Sequence, residues 1–500
     1  MPVPDRSITA LLERLGRIGS AGFTGSRSIA LTSAPTHDSR HVAPGGIFVA
    51  IRGFRTDGAA YAAEAVERGA ALLVAERDLH AVVPTIVVSD TRRALAEIAA
   101  WWEGDPAEEL LTIGVTGTDG KTTTSTLLAT ALTSVGLPSG LLTTAITRVG
   151  GLQAVVDGSH TTPEAPELQH LLRRIASSGD QAAVIEATSH GLELARVGGM
   201  SFAAGLVTNV TVDHLDLHGT VEAYRAAKLR LVDQIRWSAA SRAAGLEPLL
   251  ILPTGDVTEP LFAAAAAAAG VRVAHFGLLP DGRAVINGEP YALELKLPGR
   301  YNLVNAAAAL TLIAAWGLPL EVARAAVEAE PGPPGRSQRI VDGQPFSIIV
   351  DFAHNGHAMR NAVEMARGLC APGGRLLVVA GAAGERDPRR RPEIGAALAA
   401  ADRIWITEDH PRSESSDAIA AAIHAGISAV LGVANAAGRT QIIHERRAAI
   451  HSALHEARPG DVVLLAGKGH EQTIERNGQV EAWDEVGVVR EALAALGYPR

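Results

Sequence analysis

The residues best suited to chemistry gather first at Thr116-Gly117-Thr118-Asp119-Gly120-Lys121-Thr122-Thr123. A glycine turn lets backbone N–H groups approach a phosphate, and the positive end of a following helix faces the anion. Lys121 is placed to reach the terminal phosphates of a nucleotide, and the Thr122 hydroxyl to bind Mg²⁺. The match to the general phosphate loop is incomplete, because Val115 stands where that pattern has its first glycine. A glycine-rich turn without a ligand is the plainer reading, but the order strand, turn, Lys-Thr, helix is the one the chemistry needs. Lysine usage adds weight. Lys121, Lys228, Lys296 and Lys468 stand against forty-one arginines. A chain so biased keeps lysine where a compact amine is needed and a planar fork will not serve, although Lys296 alone reads as chance survival.

Elements must hold these residues in place. Leu111 to Val115 is an apolar, partly β-branched run that predicts a buried strand, and Leu127, Leu128, Ala131, Leu132 and Val135 carry a helical period stopped by Gly136 and Pro138. Further strands are predicted at 182–187, 205–210 and 248–252, with helices between them. The reading is an α/β domain with a mainly parallel sheet, which binds ligands at the carboxyl ends of its strands. The phosphate loop, Glu186 to His190, and Asn209 to His218 all fall at such ends. Alone, Glu186 reads equally well as a capping or salt-bridged carboxylate, and His214 as a hydrogen-bonded loop histidine.

Length and punctuation divide the chain. Five hundred residues exceed one core and predict three α/β domains, at 1–106, 107–331 and 332–500. Pro331-Gly332-Pro333-Pro334-Gly335 is the breaker cluster between the second and third. Beyond it, strands at 347–351, 376–380, 404–407 and 462–466 alternate with helices and predict a Rossmann-like domain. In the first, 47–51 and 71–75 predict strands and 61–69 a helix, while Asp38-Ser39-Arg40 reads on physics alone as a polar turn. A net charge of -9 argues against nucleic-acid binding. No apolar run is long enough to insert into a membrane. The single cysteine, Cys370, excludes an intramolecular disulfide framework. With no charged-then-apolar pattern at the N-terminus, a cytoplasmic location is expected.

Taken together the motifs resemble the Mur ligases, ATP-dependent amide-forming enzymes of peptidoglycan synthesis, and within them the members that add the third amino acid to UDP-N-acetylmuramoyl-dipeptide. Asp38-Ser39-Arg40, TGTDGKTTT (116–124), Thr161-Thr162-Pro163, Glu186 with Ser189-His190-Gly191, and Asp213-His214-Leu215-Asp216 carry the resemblance. So do Lys228, Asn302 with Asn305, Pro334-Gly335-Arg336, Asp351-Phe352-Ala353-His354, Gly384-Glu385-Arg386-Asp387, Asp409-His410-Pro411-Arg412 and Gly467-Lys468-Gly469-His470-Glu471. Each is short; their order is the specific signal.

The resemblance implies roles. The three domains become an N-terminal UDP-binding domain, a central P-loop ATPase-like domain and a C-terminal amino-acid-binding domain. ATP is held by Gly117, Thr118, Asp119, Gly120, Lys121, Thr122 and Thr123, with Asn302 at adenine and Arg336 and Asp351 from the third domain. Lys121, His214 and Lys228 are catalytic. Thr122, Glu186, His214 and Lys228, the last as a CO₂-derived carbamate, are Mg²⁺ ligands. Ser39, Thr161, Thr162, Ser189 and Arg196 contact the UDP-sugar-peptide. Arg386, Asp409, His410, Arg412, Gly467 and Glu471 take the incoming diamino acid. Arg412 favours meso-diaminopimelate, because its fork suits a distal carboxylate. His410 stands where those members typically have asparagine, and lysine and ornithine stay open. Asp119 replaces the usual asparagine and puts an acid near phosphate. The expected enzyme is a monomer.

Overall fold

The computed structural model describes residues 5–19, 22–54, 56–155, 161–211 and 213–498. Its strands form three main sheets and one hairpin. The first sheet has five strands, from Gly22–Thr24 at one edge to Pro35–Thr36 at the other, parallel except where Gly22–Thr24 pairs antiparallel with Thr85–Val87. Gly46–Val49 and Ala70–Ala75 lie inside it, as the apolar runs predict. The predicted helix at 61–69 is shorter, a 3₁₀ turn at Gly58–Tyr61 followed by Ala62–Glu67.

The central sheet has ten strands. At its centre Leu111–Thr116 lies between Ala182–Glu186 and Ala204–Val207, all parallel, with Ser139–Leu142 and Leu249–Pro253 outside them. These core strands are apolar on both faces because helices cover both. The flanks are antiparallel hairpins, Ile146–Val149 with Leu152–Val155 on one side and Ala284–Ile286 with Glu289–Tyr291 on the other. Their exposed positions show little apolar period, so only the parallel centre was legible in the sequence.

The third sheet has six strands. Ser347–Asp351, Val462–Ala466, Leu376–Ala380, Arg403–Ile406 and Thr440–Ile442 run parallel, and Gln338–Ile340 is antiparallel at the edge. The chain then forms a separate hairpin, Thr473–Arg476 with Gln479–Ala482. The Pro-Gly segment that joins second sheet to third is packed: Pro333 is buried, and a side chain on Gly335 would meet Gly469 C at 2.2 Å. Among the described residues no helix is long and apolar enough to cross a membrane.

Candidate active site

The helix Lys121–Ser134 starts at the end of Leu111–Thr116, and Gly120 supplies its left-handed N-terminal residue at φ +82°. A Cβ on Gly120 would lie 2.4 Å from Asn305 Oδ1, and one on Gly117 would lie 1.8 Å from Thr208 Oγ1. Glycine at both positions therefore lets neighbouring strands and helices close tightly on the loop. Asn209 pins the loop further, its Oδ1 accepting from Asp119 N–H at 3.1 Å and its Nδ2 donating to Asp119 O at 3.0 Å.

Two of the four lysines converge on one carbonyl. Lys121 Nζ donates to Gly117 O at 3.2 Å and to Thr118 O at 2.9 Å, while Lys228 Nζ donates to the same Gly117 O at 2.7 Å. Lys228 is buried, 4.6 Å over the Tyr224 ring. Desolvation and then the charge of Lys121 hold its amine well below the usual lysine range. Lys296 is exposed and takes no part.

A cavity of about 400 Å³ joins the central and third sheets. From the central unit Thr118, Asp119, Gly120, Lys121, Thr122, Thr123, Thr161, Glu186 and His214 line it; from the third, Arg336, Arg386, Asp409, His410, Arg412, Gly467 and Glu471 do. Glu186 is 1 % exposed, and among the described residues its carboxylate accepts from Thr144, whose N–H lies at 3.3 Å and hydroxyl at 3.2 Å. Among the described residues this buried carboxylate has no ion-pair partner and suits a hard cation that would also take the Thr122 hydroxyl, while His214 lines the same cavity as a candidate ligand of a second ion. His214 is pushed down to about 4, first by desolvation and then, against the pull of Asp213, by His190, Lys121 and Arg390. Its Nε2 stands 3.7 Å from Asp213, and Asp213 in turn accepts from Arg390 of the third unit. At ordinary pH His214 is thus neutral and able to act as a ligand. Residue 212 and the side chains of Leu215 and Asp216, part of the same motif, lie outside the described residues.

A second cavity of about 360 Å³ continues from the first past Asp119, Gly120, Thr123, Arg336 and Phe352 to Tyr301, Asn305, Asp351 and Asn361. Arg336 lies 4.2 Å over the Phe352 ring, and its buried Nε has no hydrogen-bond partner among the described residues. Asp351 faces this cavity while its oxygens accept from the N–H groups of Ser337 and Ala353, at 2.7 and 2.8 Å. Asn302 lies beneath the wall: its Oδ1 accepts from Asn305 at 3.0 Å, and Asn305 is the residue that faces the cavity.

The other predicted residues sit farther from the chemistry. Thr162 donates to Glu186 O at 2.7 Å, and Arg196 donates to Thr162 O at 3.1 Å and pairs with Glu164 at 2.7 Å. Both brace the loop that presents Thr161. Ser189 is buried beside them with its hydroxyl unpartnered. Ser39 lines neither cavity and donates to Glu64 at 2.8 Å within the first unit.

In the third unit, ligand atoms of Asp409, His410 and Glu471 lie within 4.8 Å of one another, spacing that could hold a metal ion. Lys468 fills that place with its own amine, 2.5 Å from His410 Nε2, 2.8 Å from Glu471 and 3.3 Å from Asp409. Lys468, Asn305 and Arg390 are site residues the sequence reading left without a role. Lysine scarcity pointed to Lys468; nothing local pointed to Arg390, whose partner is 177 residues away. His214 and Arg412 both hold left-handed backbone, at φ 51° and 53°, an uncommon conformation for such side chains.

Fold and site define the class first: a multidomain α/β enzyme with a phosphate-loop site in the cleft between two sheets. The Mur ligase middle domain matches residues 115–313, the Mur ligase glutamate ligase domain 335–469, and the Mur ligase family catalytic domain 35–102. A UDP-N-acetylmuramyl-tripeptide synthetase of Roseiflexus sp. (strain RS-1) is 41% identical, over 92% of this chain and 94% of that one. The UDP-N-acetylmuramoyl-L-alanyl-D-glutamate--2,6-diaminopimelate ligase of Streptomyces coelicolor is 36% identical over 98% of each. A solved structure of a ligase of that second name superposes with TM-score 0.62 at 29% identity, covering 93% of this chain and 95% of that chain. A folylpolyglutamate synthase from Mycobacterium tuberculosis, at 18% identity and TM-score 0.58, shares the fold alone. The chain belongs to the Mur ligase family.

Proposed function

We propose that this enzyme joins a diamino acid to UDP-N-acetylmuramoyl-L-alanyl-D-glutamate at the expense of ATP, releasing ADP and phosphate. One observation carries the reading: phosphate-loop residues and the polar residues of the third unit line a single cavity. The acceptor carboxylate attacks the γ-phosphorus, ADP leaves, and the amine then displaces phosphate from the acyl carbon. No protein nucleophile is needed, so positioning and charge neutralisation dominate. Lys121 swings from its loop carbonyls to the terminal phosphates. Arg336, buried and with Nε uncommitted, meets the same charge from the other side. Mg²⁺, when bound, would neutralise phosphate oxygens; Thr122 and Glu186 would hold one ion and His214 would help hold a second. Thr161, Thr162, Ser189 and Arg196 present the muramoyl-peptide, and Ser39 belongs to the unit that takes the uridine end. The domain divisions at 106/107 and 331/332 belong to this reading.

Lys228 carries the CO₂-derived carbamate in the same proposal. A neutral amine attacks CO₂, and burial beside Lys121 favours the neutral form. Lys228→Ala should lose activity and regain part of it with short carboxylates; full activity without them would remove the carbamate. For the amino acid, Arg412 and the names of the relatives favour meso-diaminopimelate. The test is product mass with ATP, the UDP-dipeptide and separate amino acids. Absence of any UDP-tripeptide would overturn the reading. We further infer a monomer, checked by sedimentation, in the cytoplasm, where ATP and nucleotide-linked sugars are available.

A further inference from the structure

The hairpin Thr473–Arg476/Gln479–Ala482 docks against the loop Asp409-His410-Pro411-Arg412 through an isolated parallel bridge between Arg412 and Arg476, and Glu475 helps fasten it. Glu475 N–H donates to His410 Nδ1 at 3.0 Å, Glu475 O accepts from Arg412 N–H at 3.0 Å, and Glu475 Oε2 accepts from Arg412 Nε at 3.2 Å. Arg412 Nη1 meanwhile donates to Gly384 O at 2.9 Å. Part of the Arg412 fork is therefore committed to a carboxylate the protein itself provides. A carboxylate on the far end of a substrate must displace Glu475 or share the guanidinium with it, against like-charge repulsion.

We propose that Glu475 is a specificity-determining residue that acts through Arg412, reducing the advantage a distal carboxylate gives a diamino acid over one ending in a bare amine. The inference rests on the ligase reading above. It makes Glu475 a resident stand-in for the distal carboxylate of diaminopimelate, and it leaves lysine and ornithine acceptable to the same pocket.

The experiment measures kcat/KM for meso-diaminopimelate and for L-lysine separately, at saturating ATP and UDP-dipeptide. Wild type, Glu475→Gln, Glu475→Asp and the double variant Arg412→Ala/Glu475→Gln are compared. Glu475→Gln should raise the diaminopimelate-to-lysine ratio on the order of tenfold, through a lower KM for diaminopimelate. Glu475→Asp, with its charge kept and its reach shortened, should fall between. Adding Arg412→Ala should abolish the change. A ratio unmoved in both single variants overturns the inference, as does an equal loss on both substrates, which marks a purely structural residue. If wild type forms product with neither amino acid, the ligase reading itself falls; product in the wild type with an unmoved ratio removes Glu475 alone.

Discussion

The two ends of the main cavity are built from different materials. At the phosphate end the geometry is mostly main chain: a loop between strand and helix, glycines at 117 and 120, and lysines resting on backbone carbonyls. At the amino-acid end it is side chain against side chain, with Arg412 on Glu475, Lys468 among Asp409, His410 and Glu471, and Arg391 on Glu414. Main-chain geometry survives substitution of most side chains, so that end suits chemistry shared by a whole family. A side-chain network changes character when one member changes, so that end suits a substrate that differs between relatives. The difference teaches that reaction and specificity are separately adjustable in this fold.

The largest effect should come from Lys121→Ala. Removing this amine from the phosphate end should lower kcat by a hundredfold to a thousandfold or so, read by ADP release. Near-normal turnover would mean the loop backbone alone suffices. Gly120→Ala sharpens the main-chain half of the contrast. It puts a methyl against Asn305 and strains a left-handed residue, and strain of about 1–3 kcal/mol should weaken nucleotide binding by up to about a hundredfold. Calorimetric titration of ATP checks it, with folding followed in parallel by thermal melting. Arg412→Ala tests the other half. KM for diaminopimelate should rise on the order of tenfold while KM for ATP stays put; a shift in both would show that the two ends are not separable.

The smallest effect concerns the seam. His470 lies 4.9 Å from the Phe352 ring, which lines both cavities, and it meets the Thr144 backbone of the central unit. Burial, with Arg336 adding to it, pushes His470 down to about 3 from an ordinary 6.5. The unfolded chain therefore takes the proton first. Stability contributed by the neutral imidazole is complete above pH 6.5 and is lost progressively as pH falls toward 3. By pH 5 the loss should be on the order of 1–2 kcal/mol. Melting of nucleotide-free protein at pH 7 and pH 5 should show the drop in wild type and a smaller one in His470→Gln. Equal drops would place the acid sensitivity elsewhere.

Periodicity reached the buried parallel strands well: Ser347–Asp351, Leu376–Ala380 and Val462–Ala466 form where their apolar runs predict. It missed the exposed hairpins, whose stability comes from pairing at a sheet edge or from docking on a loop. That the phosphate loop, Glu186 and His214 line one cavity follows from their places at strand ends of a parallel sheet. Asn305 in place of Asn302 at the cavity wall was not legible, since the two lie three residues apart on one helix face and only packing decides which reaches the cavity.

What the sequence determined by itself is local and covalent in origin: the strand-turn-helix at 111–134, the glycines that permit it, and the rarity of lysine. Tertiary structure decided which distant groups meet. It brought Lys228 onto the carbonyl that Lys121 also uses, Arg390 onto Asp213, and Glu475 onto Arg412. The reason is physical. Backbone propensity acts over a few residues, whereas an ion pair or a depressed amine depends on the burial and charge that remote segments supply once packed.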